Sequence, residues 1–119
     1  MSLKIKPHKI FEIYQEARGK RIFTKSILPG AVHFEERIVK EKGNEYREFD
    51  ARRSKLAAMI MKGCTNAGIR EGDVILYLGI SHGYTASFVS DMIGKEGLIF
   101  GLDHAPRVVR DLVFLAEKR

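Results

Sequence analysis

The stretch Val74-Ile75-Leu76-Tyr77-Leu78-Gly79-Ile80-Ser81-His82-Gly83-Tyr84-Thr85-Ala86-Ser87-Phe88-Val89-Ser90-Asp91-Met92-Ile93-Gly94-Lys95-Glu96-Gly97-Leu98-Ile99-Phe100-Gly101-Leu102-Asp103 decides the fold. Its first five residues are apolar, β-branched or aromatic, the pattern of a short strand buried on both faces. Gly79 and Gly83 break that strand within a tight turn. The following run predicts a helix with Thr85, Ala86, Val89, Met92 and Ile93 along one face, ending at Gly94 in the usual cap position. Residues 98–102 then read as a second buried strand, closed by Asp103. Strand, glycine turn, helix, strand and acid together form the first half of a nucleotide-cofactor α/β fold. The glycines allow the backbone close to a ligand at the helix N-terminus, and the carboxylate can accept bonds from ribose hydroxyls.

Outward from this unit, 119 residues suffice for one modest domain or two very small lobes. A hydrophobic content of 45% predicts a folded chain. The single cysteine, Cys64, excludes an internal disulfide and points to an intracellular setting; its place on an apolar helix face makes it a core residue. No apolar run approaches the roughly 18 residues that span a bilayer, and Met1-Ser2-Leu3-Lys4 shows no signal peptide. The expectation is a soluble, cytoplasmic protein with no membrane association. His8 and His33 are isolated, and no metal-ligand spacing occurs.

The net charge of +6 is uneven: residues 1–66 hold 15 basic against 8 acidic residues, and residues 67–119 hold 6 against 7. A basic front half suggests one part facing a polyanion and another holding a small ligand. Solvated lysines guarding the edges of small antiparallel sheets account for the same bias.

Along the chain, residues 4–25 carry Ile5, Ile10, Phe11, Ile13, Tyr14, Ile22 and Phe23 around a turn signal at Ala17-Arg18-Gly19-Lys20, the pattern of a β-hairpin. Leu28-Pro29-Gly30 is a break. A second hairpin follows, residues 34–40 and 45–49 flanking Lys42-Gly43-Asn44. Residues 1–50 thus predict a small antiparallel lobe, and residues 51–119 an incomplete Rossmann-like domain. Asp50 or Ser54 caps a helix presenting Leu56, Met59, Ile60 and Cys64 on one face. After Asp103, Pro106 predicts a helix over 106–118. Two parallel strands with three helices leave a sheet unfinished, so the chain reads as the N-terminal part of a larger catalytic domain.

The glycine turn admits three readings. The dinucleotide pattern G-x-G-x-x-G is absent, because Gly79 and Gly83 are spaced G-x-x-x-G. G-x-S-x-G, the nucleophile elbow of serine hydrolases, does match, with Ser81 as nucleophile. That elbow needs an acid and then a histidine downstream. His82 is adjacent to Ser81, and His104 sits at the far strand end. The third reading is an S-adenosylmethionine loop, with the turn around the amino-acid part of the cofactor and Asp103 at the ribose. Asp103 can equally cap the helix beginning near Pro106.

Asp50-Ala51-Arg52-Arg53-Ser54-Lys55-Leu56-Ala57-Ala58, Ile75-Leu76-Tyr77-Leu78-Gly79, the run over 85–94 and Ala105-Pro106-Arg107 resemble fibrillarin, in its archaeal form without a glycine/arginine-rich tail. The resemblance extends to Phe23-Thr24-Lys25 and Pro29-Gly30. It implies an S-adenosyl-L-methionine-dependent 2′-O-methyltransferase of rRNA and tRNA. Its implied partners are a box C/D guide RNA, the target RNA, a Nop-type scaffold protein and a kink-turn-binding protein. By matching positions, Gly79, Gly83, Tyr84, Thr85, Asp103 and His104 are implied cofactor-binding residues, and Lys55 is the candidate catalytic lysine. His82 and Tyr84 replace smaller residues of the family loop. Asp103 replaces the commoner glutamate, His104 a Phe or Tyr, and Asp50-Ala51 an Asn-Pro step. The family's later motifs are expected beyond Arg119. These departures motivate a second expectation, a fibrillarin-like scaffold component without activity. The serine hydrolase is the third.

Overall fold

The computed structural model describes residues 4–32, 34–63, 67–80 and 83–103. Strands β1 (Ile5–Pro7), β2 (Tyr14–Glu16), β3 (Ile22–Lys25), β4 (Ile38–Glu41) and β5 (Asn44–Glu48) form an antiparallel sheet in the order β1-β2-β3-β5-β4. The β4–β5 hairpin turns on Lys42 (φ 51°) and Gly43 (φ 82°). Two consecutive positive φ values match the twist of a right-handed hairpin. The segment expected as one hairpin over 4–25 is instead three strands. The turn at 17–20 joins β2 to β3, and β1 pairs ahead of them with Ile5 opposite Glu16. The short strand β1 was hidden because Pro7-His8-Lys9 interrupts any alternation. The sheet curls until its edges meet: the Glu41 carboxylate on β4 accepts the Ile5 N–H of β1.

Register divides the sheet's side chains. Tyr14, Phe23 and Tyr46 share one face, with the two tyrosine rings 5.1 Å apart. Ile22, Thr24, Arg47 and Phe49 lie on the other, toward the rest of the chain.

Helix α1 (Lys55–Met61) begins at Ser54, whose backbone is extended and whose side-chain oxygen accepts the Ala57 N–H at 3.3 Å. Ser54, not Asp50, is therefore the cap. Ala57 and Ile60 are buried, whereas Met59 is 54% exposed, so the expected stripe is turned by part of a residue step toward Ala57. Cys64 lies outside the described residues, as do His33, Ser81, His82 and the helix expected over 106–118.

Strands β6 (Val74–Leu78) and β7 (Leu98–Leu102) pair in parallel, Val74 opposite Leu98 through Leu78 opposite Leu102. Between them runs α2 (Tyr84–Ile93), packed against β3 on one side and β7 on the other. Being wedged between two sheets buries it around most of its circumference. Phe88 and Asp91 are buried beside Ala86, Val89, Met92 and Ile93, and Thr85 is only half-buried. The predicted stripe was thus too narrow. One core crosses the chain: Ile10, Ile13, Ile22 and Phe49 pack with Ala57, Ile60, Phe88 and Met92. Each fully buried side chain of this size contributes roughly 1.5–3 kcal/mol.

The parallel pair departs from expectation. Ile75, Tyr77 and Ile99 are half-buried, but Val74, Leu76 and Leu78 are 66–69% exposed, and Leu98, Phe100 and Leu102 51–60%. α2 covers one face only. Among the described residues no helix is long and apolar enough to cross a membrane.

Candidate cofactor site

The site lies where β6 and β7 end, the edge at which open parallel sheets bind ligands. Gly79 leaves β6 with φ 71°, and the N–H groups of Gly79 and Ile80 both donate to Leu102 O, at 2.8 and 3.1 Å. A Cβ at Gly79 would point into open space, so the positive φ alone demands glycine there. Ile80 folds back over Gly101, where any Cβ would collide with the Ile80 side chain. Sequence reasoning gave Gly101 no role; a glycine inside a strand was the available signal of such an approach. Gly83 caps α2 in the left-handed region (φ 90°) with no side-chain hydrogen bond to the helix start. Among the described residues no side chain caps the first turn of α2, which leaves its N–H groups to the loop.

Tyr84 opens α2, but its ring turns toward the antiparallel sheet. It packs against Phe88 (4.9 Å), Phe34 (5.3 Å, edge-on) and Phe49 (6.5 Å), and its hydroxyl accepts the Asp50 N–H at 3.1 Å. Burial pushes the phenol above its usual pKa, against the opposing influence of that bond and of Arg53. The Thr85 hydroxyl donates to Ser54 Oγ at 2.9 Å, tying the starts of α1 and α2 together. Lys55, the next residue after Ser54, is exposed at the head of α1. Asp103 ends β7 half-buried and is engaged by a neighbour. His104 lies outside the described residues. Of the expected site residues, Gly79, Gly83, Thr85 and Lys55 gather around one loop, Tyr84 belongs to it by backbone, and Asp103 follows the adjoining strand.

Residues 50–55 form the rim. Asp50 accepts the Arg52 N–H at 2.8 Å and pairs with the Arg52 guanidinium at 2.9 Å. The Arg52 hydrogen bond holds the Asp50 carboxyl below its usual pKa. The Arg53 guanidinium carbon lies over Tyr84, 4.2 Å from the ring centroid, and one Nη donates to Phe34 O at 2.7 Å.

Behind the loop stands a cluster that charge counting could not reveal. Arg47, fully buried on β5, pairs with Glu36 at 2.6 Å and Asp91 at 2.9 Å. It also reaches Ser87 O at 3.2 Å and Ser87 Oγ at 2.9 Å, and lies 4.0 Å from the Phe88 ring centre. Asp91 additionally accepts from the Thr24 hydroxyl (2.7 Å) and the Ile27 N–H (3.1 Å). The antiparallel sheet thus grips α2, and α2 carries the loop. Burial raises the Glu36 pKa, but the Phe34 N–H and the Arg47 charge outweigh it, and the net shift is downward.

A glycine loop feeding an uncapped helix, with an acid after the next strand, defines the class: an α/β nucleotide-cofactor unit carrying an antiparallel N-terminal lobe. Comparison with known proteins places it further. The family profile described as Fibrillarin matches residues 3–119. The fibrillarin-like rRNA/tRNA 2′-O-methyltransferase of Thermococcus sibiricus is 48% identical over 120 residues, covering 98% of this chain and 53% of the relative. The crystal structure of Aeropyrum pernix fibrillarin, with natively bound S-adenosyl-L-methionine, superposes with a TM-score of 0.92 at 44% identity, covering 100% of this chain and 54% of that one. A fibrillarin/Nop5p complex matches with a TM-score of 0.71 at 32% identity, over 92% of this chain and 48% of that chain. The chain belongs to the fibrillarin family, and it spans about half the length of the relatives it matches.

Proposed function

We propose that the protein to which this chain belongs transfers a methyl group from S-adenosyl-L-methionine to ribose 2′-hydroxyls of rRNA and tRNA. The observation that carries this reading is the loop itself. Gly79 faces open space and Gly83 leaves the α2 start uncapped, in a chain whose fold matches a fibrillarin that holds this cofactor. By resemblance to the family, Gly79, Gly83, Tyr84 and Thr85 are assigned to the amino-acid portion of the cofactor, and Asp103 and His104 to its ribose and adenine side. When bound, the cofactor supplies an electrophilic sulfonium methyl. The residues in hand orient the ribose for in-line attack, so that most of the rate comes from positioning. Lys55, exposed beside the Ser54–Thr85 bond, is the candidate to sit at the reacting hydroxyl.

Site choice in this reading comes from a box C/D guide RNA, within a particle holding a Nop-type scaffold and a kink-turn-binding protein. The Tyr84 ring packs against Phe34, Phe49 and Phe88, where its bulk is taken up by an aromatic cluster. That arrangement supports an active enzyme over an inert scaffold, and family membership favours a cofactor loop over a hydrolase elbow. In the intact protein, Asp103→Ala should weaken S-adenosyl-L-methionine binding by at least tenfold in calorimetry. Unchanged affinity would remove Asp103 from the site.

A further inference from the structure

We infer that Arg53 is a phosphate-binding residue at the mouth of the cofactor loop, a fixed guanidinium that holds the RNA strand beside the reacting ribose; this rests on the methyltransferase reading above. Arginine side chains on a surface ordinarily sample many rotamers, and ordering one costs conformational entropy. Here the ordering is already done. The Arg53 guanidinium lies 4.2 Å from the Tyr84 ring centre and 6.0 Å from that of Phe34, and one Nη donates to Phe34 O at 2.7 Å. Its backbone is fixed too, since the Arg53 N–H closes a turn onto Asp50 O at 3.0 Å. Stacking occupies one face and the carbonyl takes one donor, yet the residue remains exposed. Only one donor of its planar fork is used in a described hydrogen bond, and an exposed fork of this kind suits bidentate binding of a phosphodiester.

Charge and place point to the same ligand. Arg52 is neutralised by Asp50, whereas neither Arg53 nor Lys55 takes part in an ion pair among the described residues. Two cations outside any described ion pair thus stand at one rim, with Arg53 also within electrostatic reach of Asp50. The platform under Arg53 is Tyr84, the first residue of the helix that follows the glycine loop. Ser54, the next residue, accepts from Thr85 in the first turn of that helix, so a phosphate held by Arg53 stands beside the start of α2. Were Arg53 merely a staple for the backbone at Phe34, the bond to Phe34 O would suffice without the ring contact to Tyr84.

The test uses the intact protein and a short single-stranded RNA oligonucleotide, with RNA affinity measured against salt concentration and S-adenosyl-L-methionine affinity measured separately. Arg53→Gln should weaken RNA binding about three- to tenfold and reduce the log–log salt slope by about 0.7, the value for one single-strand phosphate contact. Arg53→Lys should restore the slope but only part of the affinity, because it keeps the charge and loses the fork. Lys42→Gln, at the opposite end of β5, should leave both unchanged. In methyl transfer, Arg53→Gln should raise KM for RNA with kcat held. An unaltered salt slope in Arg53→Gln overturns the assignment, as does an equal loss in Lys42→Gln, or a fall in melting temperature with RNA affinity intact. Failure of the wild-type protein to bind S-adenosyl-L-methionine would strike the methyltransferase reading instead. The RNA salt slope would still decide the role of Arg53.

Discussion

The two sides of the β6–α2–β7 unit are built differently. On the side of α2 that meets the antiparallel sheet, an arginine, two carboxylates, two hydroxyls and stacked aromatics are all buried and mutually satisfied. On the outer face of β6 and β7, six large apolar side chains in three facing pairs stay more than half exposed. Both surfaces come from stretches rich in apolar residues. The first is directional: each polar group fixes where α2 stands, and so where the Gly79–Gly83 turn is held. The second carries no polar positioning at all. A contiguous apolar surface of that kind is what folds cover with another layer or another molecule. The loop is therefore positioned from the lobe side, and substitutions on the two sides should differ sharply in cost.

The largest effect is expected at Arg47. Arg47→Ala leaves Glu36 and Asp91 buried without their cation, and should destabilise the intact protein by about 3–5 kcal/mol in urea unfolding. A loss under 1 kcal/mol would show that the cluster is not gripping α2. Phe88→Ala should follow closely, at about 3–5 kcal/mol, because the ring is sandwiched between Phe49 and Arg47 in a closed core. Next comes pH. Glu36 is held below its ordinary value of 4.5 in the folded protein. The unfolded chain binds more protons as pH falls through that region, so the Glu36 contribution is fully present above about 4.5 and is lost below it. Glu36→Gln should accordingly flatten the acid limb of a stability–pH curve; an unchanged limb would assign acid sensitivity elsewhere. The smallest effect belongs to the outer face. Leu76→Ser, at a side chain 66% exposed, should change stability by less than about 0.5 kcal/mol when measured in this chain. A cost like that of Phe88→Ala would mean that the two faces are alike after all.

Much of this could be read before any coordinates. Strand 74–78, the glycine turn, the helix to Gly94 and the strand to Leu102 agree with their expected bounds, because each has its own local signal: β-branched runs, a helical period, and glycines where φ must be positive. The β4–β5 hairpin announced itself through Lys42-Gly43-Asn44. The candidate site was legible to the same degree, since Gly79, Gly83 and Thr85 are neighbours in sequence as well as in space. Arg47 was not legible. Within Glu45-Tyr46-Arg47-Glu48 it looks like one more solvated charge, and its partners stand 11 residues before and 44 residues after it. The orientation of Tyr84 and the contact of Arg53 with its ring were hidden for the same reason.

The sequence by itself determined the element types from Ile38 to Leu102 and the glycine positions of the turns between them, since these depend on φ preferences and on spacings of two to four residues. Only the tertiary structure decided which face of β6 and β7 is covered, which charges are buried, and what the Tyr84 ring rests against. Those outcomes depend on which surfaces meet. Burial and pairing are properties of two segments at once, and no single stretch of chain contains both.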